Sequence, residues 1–139
     1  MAKEFMGWST NPDGCRELLL WISRRYEGVN IIITENGTSE EESDVVASLL
    51  DEGRRQYFEG YLRACKQAIN AGVALTGYFA WSLMDNFEWE HGYTKRFGLC
   101  HVDFDTLVRT PKLSATWYGQ AIRSNGRNIP ESPCRNFSS

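Results

Sequence analysis

The chain has 139 residues, of which 42% are hydrophobic, so it can build one modest core and contains at most one domain. Charged residues make up 24% of the sequence, the net charge is −3 and no basic block is present, so we do not expect nucleic acid as a partner. The longest apolar runs, such as residues 72–80, are too short to cross a bilayer, so we expect no membrane partner either.

The first third of the chain predicts a helix followed by a strand. Residues 11–14 (Asn-Pro-Asp-Gly) form a turn that leads into a helix ending near Gly28. Its apolar residues recur at helical spacing and are Leu18, Leu19, Ile22 and Tyr26. Residues 29–34 are β-branched and apolar on both faces, which is typical of a central parallel strand covered on both sides. Glu35 is predicted to end that strand.

The middle third predicts a surface loop and a second helix. Residues 38–52 are acidic and rich in serine, which indicates an exposed loop with a short helix at residues 45–50. From Arg54 the helical period returns and is closed by residues 70–72 (Asn-Ala-Gly). The apolar positions of this helix are Phe58, Tyr61, Leu62, Cys65 and Ile69.

The last third predicts a buried strand, an aromatic loop and a final helix. The strand is residues 73–81, and after the loop a short strand is predicted within residues 97–104. Thr110 and Pro111 are predicted to open a helix that ends at residues 125–126 (Asn-Gly). Residues 127–139, rich in Pro, Ser and Asn, are predicted to be a flexible tail beyond the domain of residues 1–126.

The order helix, strand, helix, strand, helix predicts an α/β fold. Buried strands that alternate with helices pair in parallel through right-handed crossovers. A closed (β/α)8 barrel typically takes about 250 residues, so two such strands are roughly a quarter of one barrel. We therefore expect part of a barrel, with open edges and an uncovered apolar face.

Glu35 is the first candidate for chemistry. Reactive groups in parallel α/β folds lie at the C-terminal ends of strands, and Glu35 directly follows such a strand. A carboxylate held there and facing a sugar is suited to nucleophilic attack in a retaining glycosidase. The alternative is an acid that caps a loop or pairs with a surface arginine.

The second candidate segment surrounds a carboxylate with aromatic rings. Glu88 lies between Phe87 and Trp89, and a carboxylate accepts strong hydrogen bonds from adjacent hydroxyl groups. The Trp89 indole only donates, which suits a hydroxyl acceptor. Five flat apolar faces that match the C–H faces of a pyranose come from Trp81, Phe87, Trp89, Tyr93 and Phe97. The alternative is an aromatic core with surface acids.

The four cysteines, at positions 15, 65, 100 and 134, form no Cys-X-X-Cys pair and have no regular spacing. We therefore expect neither a disulfide framework nor a zinc site. The first three lie inside predicted helices or strands, where cysteine is usually a small buried apolar residue.

Several motifs together resemble glycoside hydrolase family 1, the β-glucosidases and their relatives. The resemblance runs from about residue 6 to residue 122. Its motifs are Ile-Thr-Glu-Asn-Gly at 33–37, Gly-Tyr-Phe-Ala-Trp-Ser-Leu-Met-Asp-Asn-Phe-Glu-Trp at 77–89, the segment 92–99, Arg-Thr-Pro-Lys-Leu-Ser-Ala at 109–115, and the opening segment from Trp8 to Gly14.

That resemblance implies the C-terminal portion of a (β/α)8 barrel, with the two predicted strands as its seventh and eighth. It implies Glu35 as the nucleophile that forms a covalent glycosyl-enzyme. The implied sugar-binding residues are Trp81 under the ring, Glu88 at two hydroxyls, Trp89 at a third, Trp8 near the aglycone and Phe97 in the pocket wall. It implies neither metal nor organic cofactor, because this chemistry uses carboxylates alone.

The implied ligand is a β-glucoside or a short β-linked oligosaccharide. Glu88 stands where the branch specific for phosphorylated sugars has a small polar residue, and its charge would repel a phosphorylated glycone. The preference among glucose, galactose and fucose stays open, as does the aglycone.

The chain departs from the family pattern in what it lacks. The family's general acid/base glutamate lies in an Asn-Glu-Pro motif after the fourth strand, and this sequence has no Asn-Glu-Pro. The sugar-binding Gln, His and Asn of the first four strands are also missing, as is the tyrosine that contacts the nucleophile. We therefore expect a glycosidase by descent that hydrolyses nothing alone. The alternatives are a non-catalytic sugar-binding or interaction fragment, and a chain completed by a second one.

Overall fold

A computed structural model describes residues 9–40 and 44–132 of the chain. Its helices are α1 (Pro12–Arg25), α2 (Val45–Leu49), α3 (Glu52–Asn70) and α4 (Leu113–Arg123). Its strands are β1 (Ile31–Asn36), β2 (Leu75–Ala80), β3 (Cys100–Val102) and β4 (Arg109–Pro111). The predicted alternation of helices and strands is confirmed, as is the short helix in the acidic segment. None of the described helices combines the length and apolar character needed to cross a membrane.

Strands β1 and β2 pair in parallel, and α3 forms the connection between them. Helices α1 and α3 pack against one another and against one face of this sheet. The core on that side is built from four buried side chains with partly buried neighbours from both strands. The four are Leu19, Cys65, Ala68 and Val73. The predicted parallel pairing is therefore confirmed.

The opposite face of the sheet is uncovered in the part of the chain that the structure describes. Ile32 is 54% exposed and Phe79 is 61% exposed, although both belong to strands predicted to be buried on both faces. That prediction is wrong for these residues, because the described helices cover only the other face. Each strand also has one edge without a partner strand among the described elements, since the sheet has two strands.

An open edge and an exposed apolar face make an isolated chain vulnerable to association. We expect the purified chain to be marginally stable and prone to aggregate, and to bind a hydrophobic dye at the face formed by Ile32 and Phe79. Thermal unfolding of a dilute sample, followed by circular dichroism with light scattering, measures this. A sharp and reversible transition in a monomer would contradict the expectation.

A buried ion pair at the start of α3 is hydrogen-bonded to the first turn of α4. Arg54 is fully buried, and its Nη1 donates to Asp51 Oδ2 at 2.7 Å. The Asp51 carboxylate also accepts from the backbone N–H of Ser114 at 2.8 Å and from its hydroxyl at 2.5 Å. Asp51 thus caps the first turn of α4, where helix N–H groups otherwise have no partner. Arg54 Nη2 donates to the backbone oxygen of Arg96 at 2.7 Å, which ties the aromatic loop to the same cluster.

The region after the aromatic loop differs from prediction in one element. Thr110 and Pro111 do not open the last helix but form β4, which pairs antiparallel with β3, and α4 begins at Leu113. Proline is tolerated on a strand at a sheet edge, so the dipeptide fits β4. Helix α4 ends as predicted, with positive φ angles at Asn125 and Gly126. The described part of the tail reaches residue 132 and includes an ion pair of 2.6 Å between Lys66 and Glu131.

Candidate active site

An open pocket of about 440 Å³ lies at the C-terminal ends of β1 and β2. It brings together residues from both strand ends, from α3 and from the aromatic loop. The lining residues are Glu35, Asn36, Gly37, Tyr57, Trp81, Glu88, Trp89 and Phe97. Of the six residues predicted to form the site, five line this pocket, and Trp8 lies outside the described residues.

Glu35 reaches the pocket because strand β1 contains an irregularity. Ile33 pairs with Tyr78 and Asn36 pairs with Ala80, so two residues of β1, Thr34 and Glu35, lie opposite one residue of β2. Strict alternation would place Glu35 on the helix-facing side with Ile33. The extra residue instead leaves both Thr34 and Glu35 exposed, which is how a bulge redirects a side chain. The sequence predicted that the strand would end at Glu35. In the structure β1 continues through Glu35 to Asn36.

Asn36 is held by two tyrosines on the helix-facing side of the strand end. Its Oδ1 accepts from the Tyr78 hydroxyl at 2.5 Å, and its Nδ2 donates to the Tyr57 hydroxyl at 3.2 Å. Burial raises the pKa of Tyr78, so its phenol stays protonated and remains a donor at neutral pH. These bonds fix the residue that directly follows Glu35.

The two strand ends are joined where Trp81 leaves β2. The Trp81 backbone N–H donates to the Asn36 backbone oxygen at 2.7 Å. Gly37 makes this approach possible, since a Cβ atom there would lie 1.6 Å from the Trp81 backbone oxygen. The glycine of the Glu-Asn-Gly motif is therefore required by close packing of two backbones.

Glu88 is oriented by the indole of Trp81. Trp81 Nε1 donates to Glu88 Oε2 at 3.2 Å, and only 7% of Glu88 is exposed. A carboxylate has about four acceptor positions, and this bond occupies one of them in a residue that lines the pocket. A short 3-10 turn, Trp89–His91, follows Glu88, whose own N–H donates to the Gly92 oxygen at 2.7 Å. This turn exposes 79% of Trp89, whereas Phe97 is buried in the pocket wall.

Asp85 anchors the loop that carries Glu88 and Trp89. Its Oδ1 accepts from the Gly98 N–H at 2.9 Å and from Lys112 Nζ at 3.0 Å. Its Oδ2 accepts from Arg96 Nη1 at 3.0 Å and from the Val102 N–H at 3.2 Å. One buried carboxylate near the start of the loop thus takes four hydrogen bonds, two from the C-terminal end of the loop, one from β3 and one from the residue before α4.

Lys112 completes this cluster as a buried cation. Only 1% of it is exposed, and burial, helped by the nearby charge of Arg54, lowers the pKa of its ammonium group. The Asp85 carboxylate opposes that change. Removal of Asp85 leaves the buried Lys112 without its carboxylate partner, whereas removal of Lys112 leaves Asp85 paired with Arg96 alone.

The sequence did not single out these supporting residues. No local pattern assigns a role to Asp85, Asn36, Tyr57 or Tyr78. The signal that could have found Asp85 is an acid in a largely apolar and aromatic segment, together with two cations, Arg96 and Lys112, in later motifs. Within residues 9–40 and 44–132, no group of three or more His, Cys, Asp or Glu side chains is placed to hold a metal ion.

The pocket can present one exposed carboxylate, Glu35, to an electrophilic carbon. A second carboxylate, Glu88, and the Trp89 indole can receive and give hydrogen bonds to a polyhydroxylated ring. Trp81 adds a flat apolar face on the same side. This combination suits a sugar whose anomeric carbon faces Glu35.

Sequence comparisons identify relatives of this chain. The family model described as Glycosyl hydrolase family 1 matches residues 1–127. β-Glucosidase A of Acetivibrio thermocellus is 46% identical over 125 residues, which are 89% of this chain and 28% of that protein. β-Glucosidase 47 of Arabidopsis thaliana is 49% identical over 111 residues, 80% of this chain and 20% of that protein. The chain thus spans only a fifth to a third of the curated relatives it matches.

Solved structures that resemble this chain are also β-glucosidases. The family 1 β-glucosidase of Thermotoga maritima in complex with isofagomine lactam has a TM-score of 0.84 and 38% sequence identity. The match covers 91% of this chain and 29% of that one. The β-glucosidase of the same organism in complex with glucoimidazole has a TM-score of 0.85. These neighbours are TIM barrels, of which the chain covers about 29%, and the residues that the structure describes form part of such a fold with no closed barrel.

Proposed function

This chain belongs to glycosyl hydrolase family 1, and we propose that it is the C-terminal part of a retaining β-glucosidase. In this proposal β1 and β2 are the seventh and eighth barrel strands, residues 1–126 belong to the barrel, and residues 127–139 are its tail. The observation that carries the proposal is the bulge that turns Glu35 into the same pocket as Trp81 and Glu88.

Glu35 acts as the nucleophile. Its carboxylate attacks the anomeric carbon of a β-glucoside, the bond to the leaving oxygen breaks, and a covalent glycosyl-enzyme forms. Water then releases the sugar with a second inversion, so the product keeps the β configuration. Asn36 and its two tyrosines hold the strand end so that the attacking oxygen stays in place.

The other half of the chemistry comes from outside this chain. Retaining hydrolysis requires an acid that protonates the leaving oxygen and later activates water, about 5–5.5 Å from the nucleophile. Glu88 does not take that part, since one of its oxygens is engaged by Trp81 and the remaining positions serve hydroxyl groups. The missing barrel strands supply the acid and also cover the exposed face of β1 and β2.

The chain's own residues hold the glycone. Trp81 lies under the ring, Glu88 accepts from two hydroxyls, Trp89 donates to a third, and Phe97 closes the wall of the pocket. Trp8 lies near the aglycone in this proposal. The substrate is a terminal β-D-glucoside or a short β-linked oligosaccharide without phosphate, because the Glu88 carboxylate repels a phosphorylated sugar.

Replacement of Glu88 tests the part of this proposal that concerns the substrate. In the hybrid enzyme described in the next paragraph, we expect Glu88→Ser to lower kcat/KM for a β-glucoside by about 10²-fold, since a charge-assisted hydrogen bond is worth about 1.5–3 kcal/mol. The same variant is expected to raise the ratio of activity on a 6-phospho-β-glucoside to activity on the plain glucoside. Glu88→Gln, which removes only the charge, serves as the matched variant. An unchanged ratio in both variants would contradict the role of Glu88.

A hybrid enzyme tests the proposed function as a whole. In this hybrid, the chain replaces the matching segment of the A. thermocellus β-glucosidase A. We expect the hybrid to hydrolyse an aryl β-glucoside and the 139-residue chain alone to hydrolyse none. Turnover by the chain alone would overturn the requirement for outside strands. A folded hybrid that binds glucosides without turnover would favour the sugar-binding alternative.

A further inference from the structure

Two cysteines from different helices meet in the core on the helix-facing side of the sheet, away from the pocket. Cys15 lies on α1 and Cys65 on α3, and their thiols share a hydrogen bond. Cys15 packs against the buried cluster that contains Cys65. The two thiols are therefore neighbours in this core, although 50 positions of sequence separate them.

Contacts on both sides of the pair hold the two helices in register. On one side, Gly60 lies so close to α1 that an added Cβ would come within 3.1 Å of Pro12 Cγ. On the other side, Arg16 Nη1 donates to Gln67 Oε1 at 3.2 Å. The thiols are thus held together by packing before any bond forms, which favours reaction between them over reaction with more distant groups.

We propose that Cys15 and Cys65 are a disulfide-forming pair, which cross-links α1 to α3 when the protein meets a small disulfide oxidant such as glutathione disulfide. This modification site is independent of sugar hydrolysis and does not rest on the function proposed above. It also revises the expectation that none of the cysteines would pair.

The exchange proceeds in two balanced steps. The Cys15 sulfur, which is only half-buried, attacks glutathione disulfide as a thiolate, and one glutathione leaves as a thiolate that takes up a proton. Cys65 then loses its proton and attacks the Cys15 sulfur of the mixed disulfide, which releases the second glutathione. Two protein thiols are oxidised, and one glutathione disulfide is reduced to two thiols.

Cys15 is suited to the first step and Cys65 to the second. The hydrogen bond from Cys65 lowers the pKa of Cys15, which increases the fraction of thiolate on the more accessible sulfur. The same contact, together with burial, raises the pKa of Cys65. The Cys65 thiol therefore stays protonated and donates to the Cys15 sulfur until Cys15 has formed the mixed disulfide.

Peptide mapping after oxidation tests the proposal. The full chain is treated with glutathione disulfide under native conditions, quenched with acid, alkylated and digested for mass spectrometry. We expect the Cys15–Cys65 peptide to exceed any other linked pair by about tenfold, as reaction within a preorganised pair allows. A parallel sample in concentrated guanidinium chloride should lose this preference.

Single variants supply the controls. Cys65→Ser is expected to abolish the linked peptide and leave glutathione on Cys15, whereas Cys100→Ser should leave the linkage intact. The oxidised chain should unfold at a higher temperature than the reduced chain, and the difference should vanish in Cys15→Ser. The hybrid enzyme is mapped in the same way, so that the helices are also tested in a complete barrel. Native samples that give only mixed disulfides with glutathione, or the same pairings as the denatured chain, would overturn the proposal.

Discussion

In the hybrid enzyme, Glu35→Gln is expected to lower kcat/KM for an aryl β-glucoside by about 10⁴-fold or more, as removal of a covalent nucleophile does elsewhere. Glutamine keeps the size and the hydrogen-bonding capacity of the side chain but cannot form the glycosyl-enzyme. The bulge at Thr34 and Glu35 persists in this variant, because it depends on strand pairing and not on the charge. Steady-state kinetics with a chromogenic glucoside measures the loss.

The matched control for this variant is Glu27→Gln. Glu27 lies in the turn after α1, is exposed and lines no pocket described above, so we expect its replacement to leave kcat/KM unchanged within experimental error. A Glu35→Gln enzyme that retains a tenth or more of the activity would exclude Glu35 as the nucleophile. Equal losses in both variants would point to a folding defect and not to chemistry.

The second large effect is expected on stability, for Asp85→Ala. Removal of this carboxylate leaves the buried charge of Lys112 without its carboxylate partner and takes one of several partners from the half-buried Arg96; breaking a buried pair in this way typically costs about 3–5 kcal/mol in the free energy of unfolding. It also leaves the N–H groups of Gly98 and Val102 without their acceptor. In the isolated chain, which we expect to be marginally stable, we expect such a loss to remove cooperative folding altogether.

Urea unfolding of the hybrid measures this effect, because the complete barrel gives a baseline with a folded state. Asp105→Ala is the control, since Asp105 is exposed on the turn between β3 and β4. Amide exchange should speed up from residue 96 to residue 102 in Asp85→Ala and stay unchanged in Asp105→Ala. A change in the free energy of unfolding below about 1 kcal/mol, the value of an exposed pair, would contradict the anchoring role of Asp85.

Local patterns were sufficient to predict the helices and the two main strands. The apolar spacing that begins at Arg54 and the glycine at position 72 bracket α3 as the structure shows it. The β-branched run before Glu35 likewise predicted β1. Such elements depend on nearby residues, which a sequence displays directly. β4 was missed because its strand character depends on pairing with β3, and Thr110 with Pro111 equally fits the start of a helix.

Five of the eight residues that line the pocket were predicted from the sequence as site residues, but Asn36, Gly37 and Tyr57 were not, nor was the means of bringing the eight together. Glu35, Trp81 and Glu88 stand out because each carries chemistry at the end of an apolar run or among aromatic rings. The bulge that exposes Glu35 depends on the register between two strands separated by α3. A one-residue change in register moves a side chain to the other face, and no local pattern in β1 specifies it.

The covering of the sheet was predicted wrongly for a related reason. Apolar residues on both faces of β1 indicate that both faces are buried in a complete barrel. They do not show that the described elements of this chain cover both faces. Ile32 and Phe79 are exposed because the described helices lie on one side only. Their exposure is consistent with the comparisons, in which the chain covers only 28% and 29% of two relatives.

We propose that Glu35 is the nucleophile of a retaining β-glucosidase completed by strands outside this chain. The most direct measurement is to incubate the hybrid with a fluorinated β-glucoside whose glycosyl-enzyme hydrolyses slowly, and to map the labelled peptide by mass spectrometry. We expect one covalent sugar per hybrid molecule, attached to Glu35, and no label on the isolated chain or on Glu35→Gln. A label on another carboxylate, or turnover with inverted configuration and no label, would contradict it.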